Sequence, residues 1–366
     1  MINSNILERS VQINDGLNET SADGANLAFD KKYGIMFCVY MPGFQGSYGE
    51  SRGKIALTYF PASQPTNTKT VCVSQGNDEY LPNILGLGDG KVRLFYEKDS
   101  KAEGDHLTYY KDFDFISEKF TDEQIVMLKR DDGKVVPLTQ SEQFKYLEQR
   151  GYFNHVHWRA EQAVLGGTTF FEFEGKVYGA TSSLVCEAVL YRSNDNLATI
   201  EFFAVCPYAM QYEFDYKILD GKMHAIYRTE GDVNTIYYTC SSDFGNTWDK
   251  PKLLENSISC RPRIITYQGG VLLCYNYNNA DTHNRPSVQQ NRTAVKMLWG
   301  KEFNCFTEVA DIHSKYGIVN VCVKDVLGDV YFAYSSSVLA LEYQNGNELV
   351  RGKDASRYVN LGDLTL

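Results

Sequence analysis

The 366-residue sequence predicts an all-β domain, a β-propeller of six blades, and three observations lead there. Tyrosines number 26 and phenylalanines 20 while helical periodicity is scarce, a balance that favours strands. A pattern of apolar strand, Asp-Gly-type turn and apolar strand recurs six times. Most copies are spaced 46 to 58 residues apart, close to the period of a four-stranded blade, a sheet that needs neighbours to bury both of its faces.

Taken in order, the copies are "FDKKYGIMFCVY" around Gly34, "ILGLGDGKVRLFYE" around Gly90, "FFEFEGKVYGATS" around Gly175, "YKILDGKMHAIYR" around Gly221, "IITYQGGVLLCYNY" around Gly270 and "CVKDVLGDVYFAYSS" around Gly328. The interval from Gly90 to Gly175 is 85 residues and calls for an insertion, placed at about 112–152 within a single domain spanning 1–366. There "TQSEQFKYLEQR" combines a Ser or Thr cap with apolar residues at helical spacing, predicting a short helix or lid outside the propeller. Ring closure is expected from "SRYVNL" or "ALEYQNG" pairing with N-terminal strands.

A formal charge of −10 argues against a nucleic-acid groove. The nine cysteines are scattered singly, without a C-x-x-C pair and mostly in apolar runs, as suits a reducing compartment. The N-terminus lacks the basic and apolar regions of a signal peptide, and no run approaches 18 apolar residues, so a cytoplasmic protein with no membrane partner is expected. No metal or cofactor motif is present, and oligomeric state is left open.

The stretch "SSDFGNTW" places Ser241, Asp243, Gly245, Thr247 and Trp248 in the order S-x-D-x-G-x-T-W. Hydroxyl and carboxylate can accept from nearby backbone amides, and glycine can take a positive φ, so the segment reads as a self-capped turn between the third and fourth strands of a blade. A degenerate copy lies 48 residues earlier: "SNDNLATI" keeps Ser193, Asp195 and Thr199 but has Leu197 for Gly and Ile200 for Trp. Asp243 is therefore read as a turn former, not a catalytic acid.

This motif, its degenerate copy and the six turns resemble the Asp-box (bacterial neuraminidase repeat) proteins of the sialidase superfamily, from about Asn26 to Ser336. The resemblance implies a six-bladed propeller with an axial active site and Asp boxes on the outer rim. It also implies three arginines gripping a sugar carboxylate, an Asp acid in the first blade and a Tyr nucleophile activated by a Glu, an arrangement suited to an oxocarbenium-like transition state. Carried over by position, Arg228 and Arg292 fit the second and third arginines, Tyr316 the nucleophile and Glu213 its partner, with Asp215 competing for that role. The family's R-I-P arginine is absent: the corresponding stretch reads "ADGANLAF". Its Asp is also missing, leaving Glu50 as the nearest carboxylate and Arg52 as a displaced cation.

Two further constellations stand near inner-strand starts. "FNHVHWRAE" sets His155, His157 and Arg159 on one face of a strand, as acid/base groups, sugar-binding donors or a structural pair. "CRPRII" offers Arg261, either to the pocket or to a salt bridge between blades. The expectation is a sialidase-like glycoside hydrolase acting on a small, anionic glycan, though not a standard sialidase. The alternatives are a non-catalytic glycan-binding propeller and an interaction scaffold.

Overall fold

The computed structural model describes residues 2–5, 11–12, 22–42, 54–74, 79–100, 105–152, 165, 168–181, 187–208, 213–229, 235–256, 262–277, 294–313, 318–336, 355–362 and 364. Their strands form six sheets in a β-propeller arrangement.

The first sheet runs Ala22–Asp30, Ile35–Pro42, Ile55–Pro61, Lys69–Ser74, and the second Glu79–Gly88, Lys91–Ser100, Asp105–Asp114, Lys119–Phe120, with Gln124–Ile125 also on its outer part. The third contains Phe171–Phe173, Lys176–Ala180, Ala188–Ser193 and Thr199–Cys206; the fourth Glu213–Leu219, Lys222–Thr229, Thr235–Ser241 and Lys252–Asn256. The fifth contains Arg263–Tyr267, Gly270–Asn276, Ala294–Gly300 and Thr307–His313, the last paired in parallel with Ile2–Asn5. The sixth comprises Val319–Val326, Asp329–Ser336, Ala355–Gly362 and, at its outer edge, Val11–Gln12. Val11 pairs with Tyr358, so an N-terminal strand completes the sheet that contains "SRYVNL".

Each recurring turn joins the first and second strands of a sheet. Asp220 (φ 50°) and Gly221 (φ 74°) both occupy the left-handed region, and Asp89–Gly90, Glu174–Gly175, Gln268–Gly269 and Leu327–Gly328 do the same. Two successive positive φ angles give the twist of a two-residue hairpin, which explains the Asp-Gly character of these turns. In the fifth sheet the turn is Gln268–Gly269, and Gly270 already belongs to the strand.

Among the described residues, six apolar clusters lie between neighbouring sheets. Phe37 and Leu57 of the first sheet pack with Leu94 and Phe113 of the second. At the closing interface, Leu27, Met36 and Tyr40 of the first sheet meet Cys322 and Tyr331 of the sixth. A sheet that carries apolar residues on both faces is stable only between two others, so closing the ring removes the last exposed apolar face.

The segment between the second and third sheets differs from a free-standing lid. Asp112–Asp114 still belong to the second sheet, and Met127–Lys129 then runs parallel to the outer strand of the third. The helix Gln140–Glu148 is capped by Thr139, whose hydroxyl accepts from Glu142 N at 3.2 Å. Phe144, Tyr146 and Leu147 dock into the core between the second and third sheets, so the helix buttresses that interface. No helix among the described residues is long and apolar enough to cross a membrane.

Candidate functional site

In an antiparallel four-stranded sheet, the turns from first to second and from third to fourth strand lie on one edge. The connections from second to third strand, and the entries into each first strand, lie on the other. The second edge is where the fourth sheet places Glu213 and Arg228. They face each other across the ladder as the first residue of the inner strand and the penultimate residue of the second. Arg228 Nε donates to Glu213 Oε2 at 2.6 Å, and their side chains are only 2% and 9% exposed. A charge-assisted bond in this dry position fixes the plane of the guanidinium.

Asp215, two residues along, is enclosed by a different set of partners. Its carboxylate accepts from Thr169 N and Oγ1, just before the third sheet, from Ile264 N of the fifth and from Tyr216 N, and Lys217 Nζ lies 3.3 Å away. Fully buried and bonded to the fourth and fifth sheets and to the segment leading into the third, Asp215 ties them together. Lys217 shares it: its ammonium also donates to Thr169 Oγ1 at 2.7 Å and to Tyr216 O at 2.9 Å, and burial lowers its pKa.

Equivalent ties link the other inner strands. Asn26 donates to Pro82 O, Asn83 to Leu165 O and Thr168 O, and Arg263 Nε to Val321 O at 2.9 Å. Asn276 adds a bond to Ile318 O. Arg263 was not singled out in the sequence, where its neighbour Arg261 was. The available signal was a polar residue six to eight positions before the turn glycine: Asn26, Asn83, Asp215 and Arg263.

Of the sequence-predicted site residues, the structure brings together Glu213 and Arg228 and assigns Asp215 to the frame. Tyr316, Glu50, Arg292, Arg261, Arg52, His155, His157 and Arg159 lie outside the described residues. Among the described residues no cluster of three or more His, Cys, Asp or Glu side chains could hold a metal ion.

The turn at 241–248 lies on the opposite edge. Gly245 N donates to Ser241 Oγ (2.8 Å), Thr247 N and Oγ1 donate to the two oxygens of Asp243 (2.8 and 2.7 Å), and Trp248 Nε1 reaches Val205 O of the third sheet (3.0 Å). Hydrogen bonds from Thr247 hold the Asp243 carboxyl below its usual pKa. The degenerate turn repeats this scheme, with Leu197 N bonded to Ser193 Oγ and Thr199 N to Asp195 Oδ1.

No protein-family model matches the sequence, and no curated protein does. The fold does match solved structures. Trypanosoma rangeli sialidase in complex with sialic acid superposes with a TM-score of 0.58 at 13% identity over 96% of this chain, which spans 57% of that protein's length. The intramolecular trans-sialidase from Ruminococcus gnavus in complex with oseltamivir carboxylate gives 0.63 at 11% identity, covering 97% of this chain and 98% of the other. The chain thus has an all-β propeller fold similar to that of sialidases and trans-sialidases.

Proposed function

We propose that the chain is a six-bladed, sialidase-like propeller, each sheet forming one blade, and a glycoside hydrolase that binds a small anionic glycan on the axis. The observation that carries this reading is the buried Glu213–Arg228 pair at the axial edge, within a fold whose solved relatives include a sialidase in complex with sialic acid. A guanidinium oriented by a carboxylate suits recognition of a sugar carboxylate by paired N–H donors. In this reading Arg228 and Arg292 bind the anion, Tyr316 is the nucleophile and Glu213 its polarising partner. Glu50 supplies the acid, and Arg52 or Arg261 replaces the arginine lacking in "ADGANLAF". The described cysteines, which form no disulfide with one another, fit a reducing compartment such as the cytoplasm.

The missing first-blade arginine favours one second reading, a non-catalytic glycan-binding propeller. A titration with N-acetylneuraminic acid and glucuronic acid, run beside hydrolysis of a fluorogenic α-sialoside, tests both. The expected result is saturable binding of an acidic sugar, lost in Arg228→Met and Arg292→Met, with slow or no sialoside turnover. Binding without cleavage of any glycoside in a broad panel selects the second reading. Failure of any acidic sugar to bind rejects both, and rapid sialoside turnover rejects the missing-arginine argument.

A further inference from the structure

The edge that carries the turns holds a second polar crevice, between the fourth and fifth sheets. Lys222, Lys250 and Lys252 line it, with Cys240 in its floor and Asp249 and Glu302 in its walls. Lys222 and Arg228 stand near opposite ends of one strand, six residues or about 20 Å apart, so this crevice is separate from the axial site.

Some basic groups elsewhere pair with nearby acids, as Lys129 does with Glu201 at 2.7 Å and Lys296 with Glu255 at 3.0 Å. Among the described residues none of the three crevice lysines pairs with a carboxylate, although two carboxylates share the lining. The reason is visible for Asp249. Its Oδ2 accepts from the Cys240 thiol at 2.8 Å, its backbone N–H donates to Cys240 O at 2.8 Å, and its carbonyl accepts from Thr239 Oγ1 at 2.7 Å. The acid is pinned to the floor and directed toward sulfur. Lys252 is held by an aromatic face instead, its ammonium 4.7 Å from the centre of the Phe303 ring.

We infer that this crevice binds a small oxyanion, carboxylate or phosphate, on the ammonium groups of Lys222, Lys250 and Lys252. Ammonium groups that line one crevice and lack carboxylate partners gain charge-assisted bonds from such a ligand.

Calorimetric titration of the full chain at low ionic strength, with inorganic phosphate and with acetate, tests the inference. Binding of at least one probe is expected, weakened at least tenfold in Lys222→Met and in Lys250→Met but unchanged in Lys119→Met, which removes an exposed lysine of the second sheet. Phosphate as the tighter probe identifies a phosphate monoester as the ligand class, and acetate a carboxylate. The inference is overturned if neither probe binds, if the crevice variants bind as well as the parent, or if Lys119→Met weakens binding equally. Melting curves of each variant establish that the fold is retained.

Discussion

Glu213 and Arg228 sit opposite each other in the ladder of the fourth sheet, joined by a 2.6 Å bond with almost no solvent access. Breaking such a pair from one side strands a charge in a dry site, at a cost of about 3 to 5 kcal/mol. Arg228→Met alone should therefore destabilise by that amount, whereas Glu213→Gln/Arg228→Met should recover most of the loss. Urea unfolding of the two single variants and the double variant measures the coupling. Additive losses would show that the pair is not the unit described here.

The two S-x-D turns give a prediction in which magnitudes decide the sign. Gly245 has φ 88°, and a Cβ there would lie 2.6 Å from the Ala204 Cβ, so Gly245→Ala should cost about 1 to 3 kcal/mol. Leu197 holds the equivalent left-handed position at φ 65°, yet its side chain is fully buried. Relief of backbone strain on Leu197→Gly is worth about 1 kcal/mol, while emptying a buried leucine site costs about 2 to 5 kcal/mol. Leu197→Gly should thus be destabilising despite moving toward the motif. A higher melting temperature for this variant would contradict that balance.

His224 gives a pH prediction. It is buried with Nδ1 2.6 Å from the Tyr238 hydroxyl, and burial, reinforced by Lys222, holds its pKa down to about 4. Since the unfolded chain protonates this imidazole near pH 6.5, its contribution is complete above that value and is lost as pH falls toward 4. The loss should reach about 2 to 3 kcal/mol. Unfolding free energies at pH 7 and pH 4.5 should differ less in His224→Phe than in the parent; an identical pH dependence would rule His224 out as a source.

The seven described cysteines form no disulfide with one another, and Cys38, Cys274 and Cys322 are buried in apolar interfaces where desolvation raises their thiol pKa. Thiol titration in denaturant without reductant should find nearly all nine free. In the folded protein Cys72 and Cys305, the exposed pair, should react first.

Much of the architecture was legible from local chemistry. Two-residue hairpins demand positive φ, so Asp-Gly-type turns announced the first hairpin of five sheets, and apolar runs announced strands buried on both faces. The S-x-D turn was readable for the same reason, since its hydrogen bonds close within eight residues. What spans several sheets was not. The sequence left Glu213 and Asp215 as rivals because they lie two positions apart in one strand and differ only in what meets them. Arg228, 15 residues on, pairs with Glu213, while Thr169 and Ile264, 46 and 49 residues away, enclose Asp215. Arg263 was passed over because its partners, Val321 and Asn26, lie 58 and 237 residues away. Local turn and strand chemistry was thus determined by the sequence alone, but the roles of buried charges were decided only when ring closure brought distant strands within hydrogen-bonding distance.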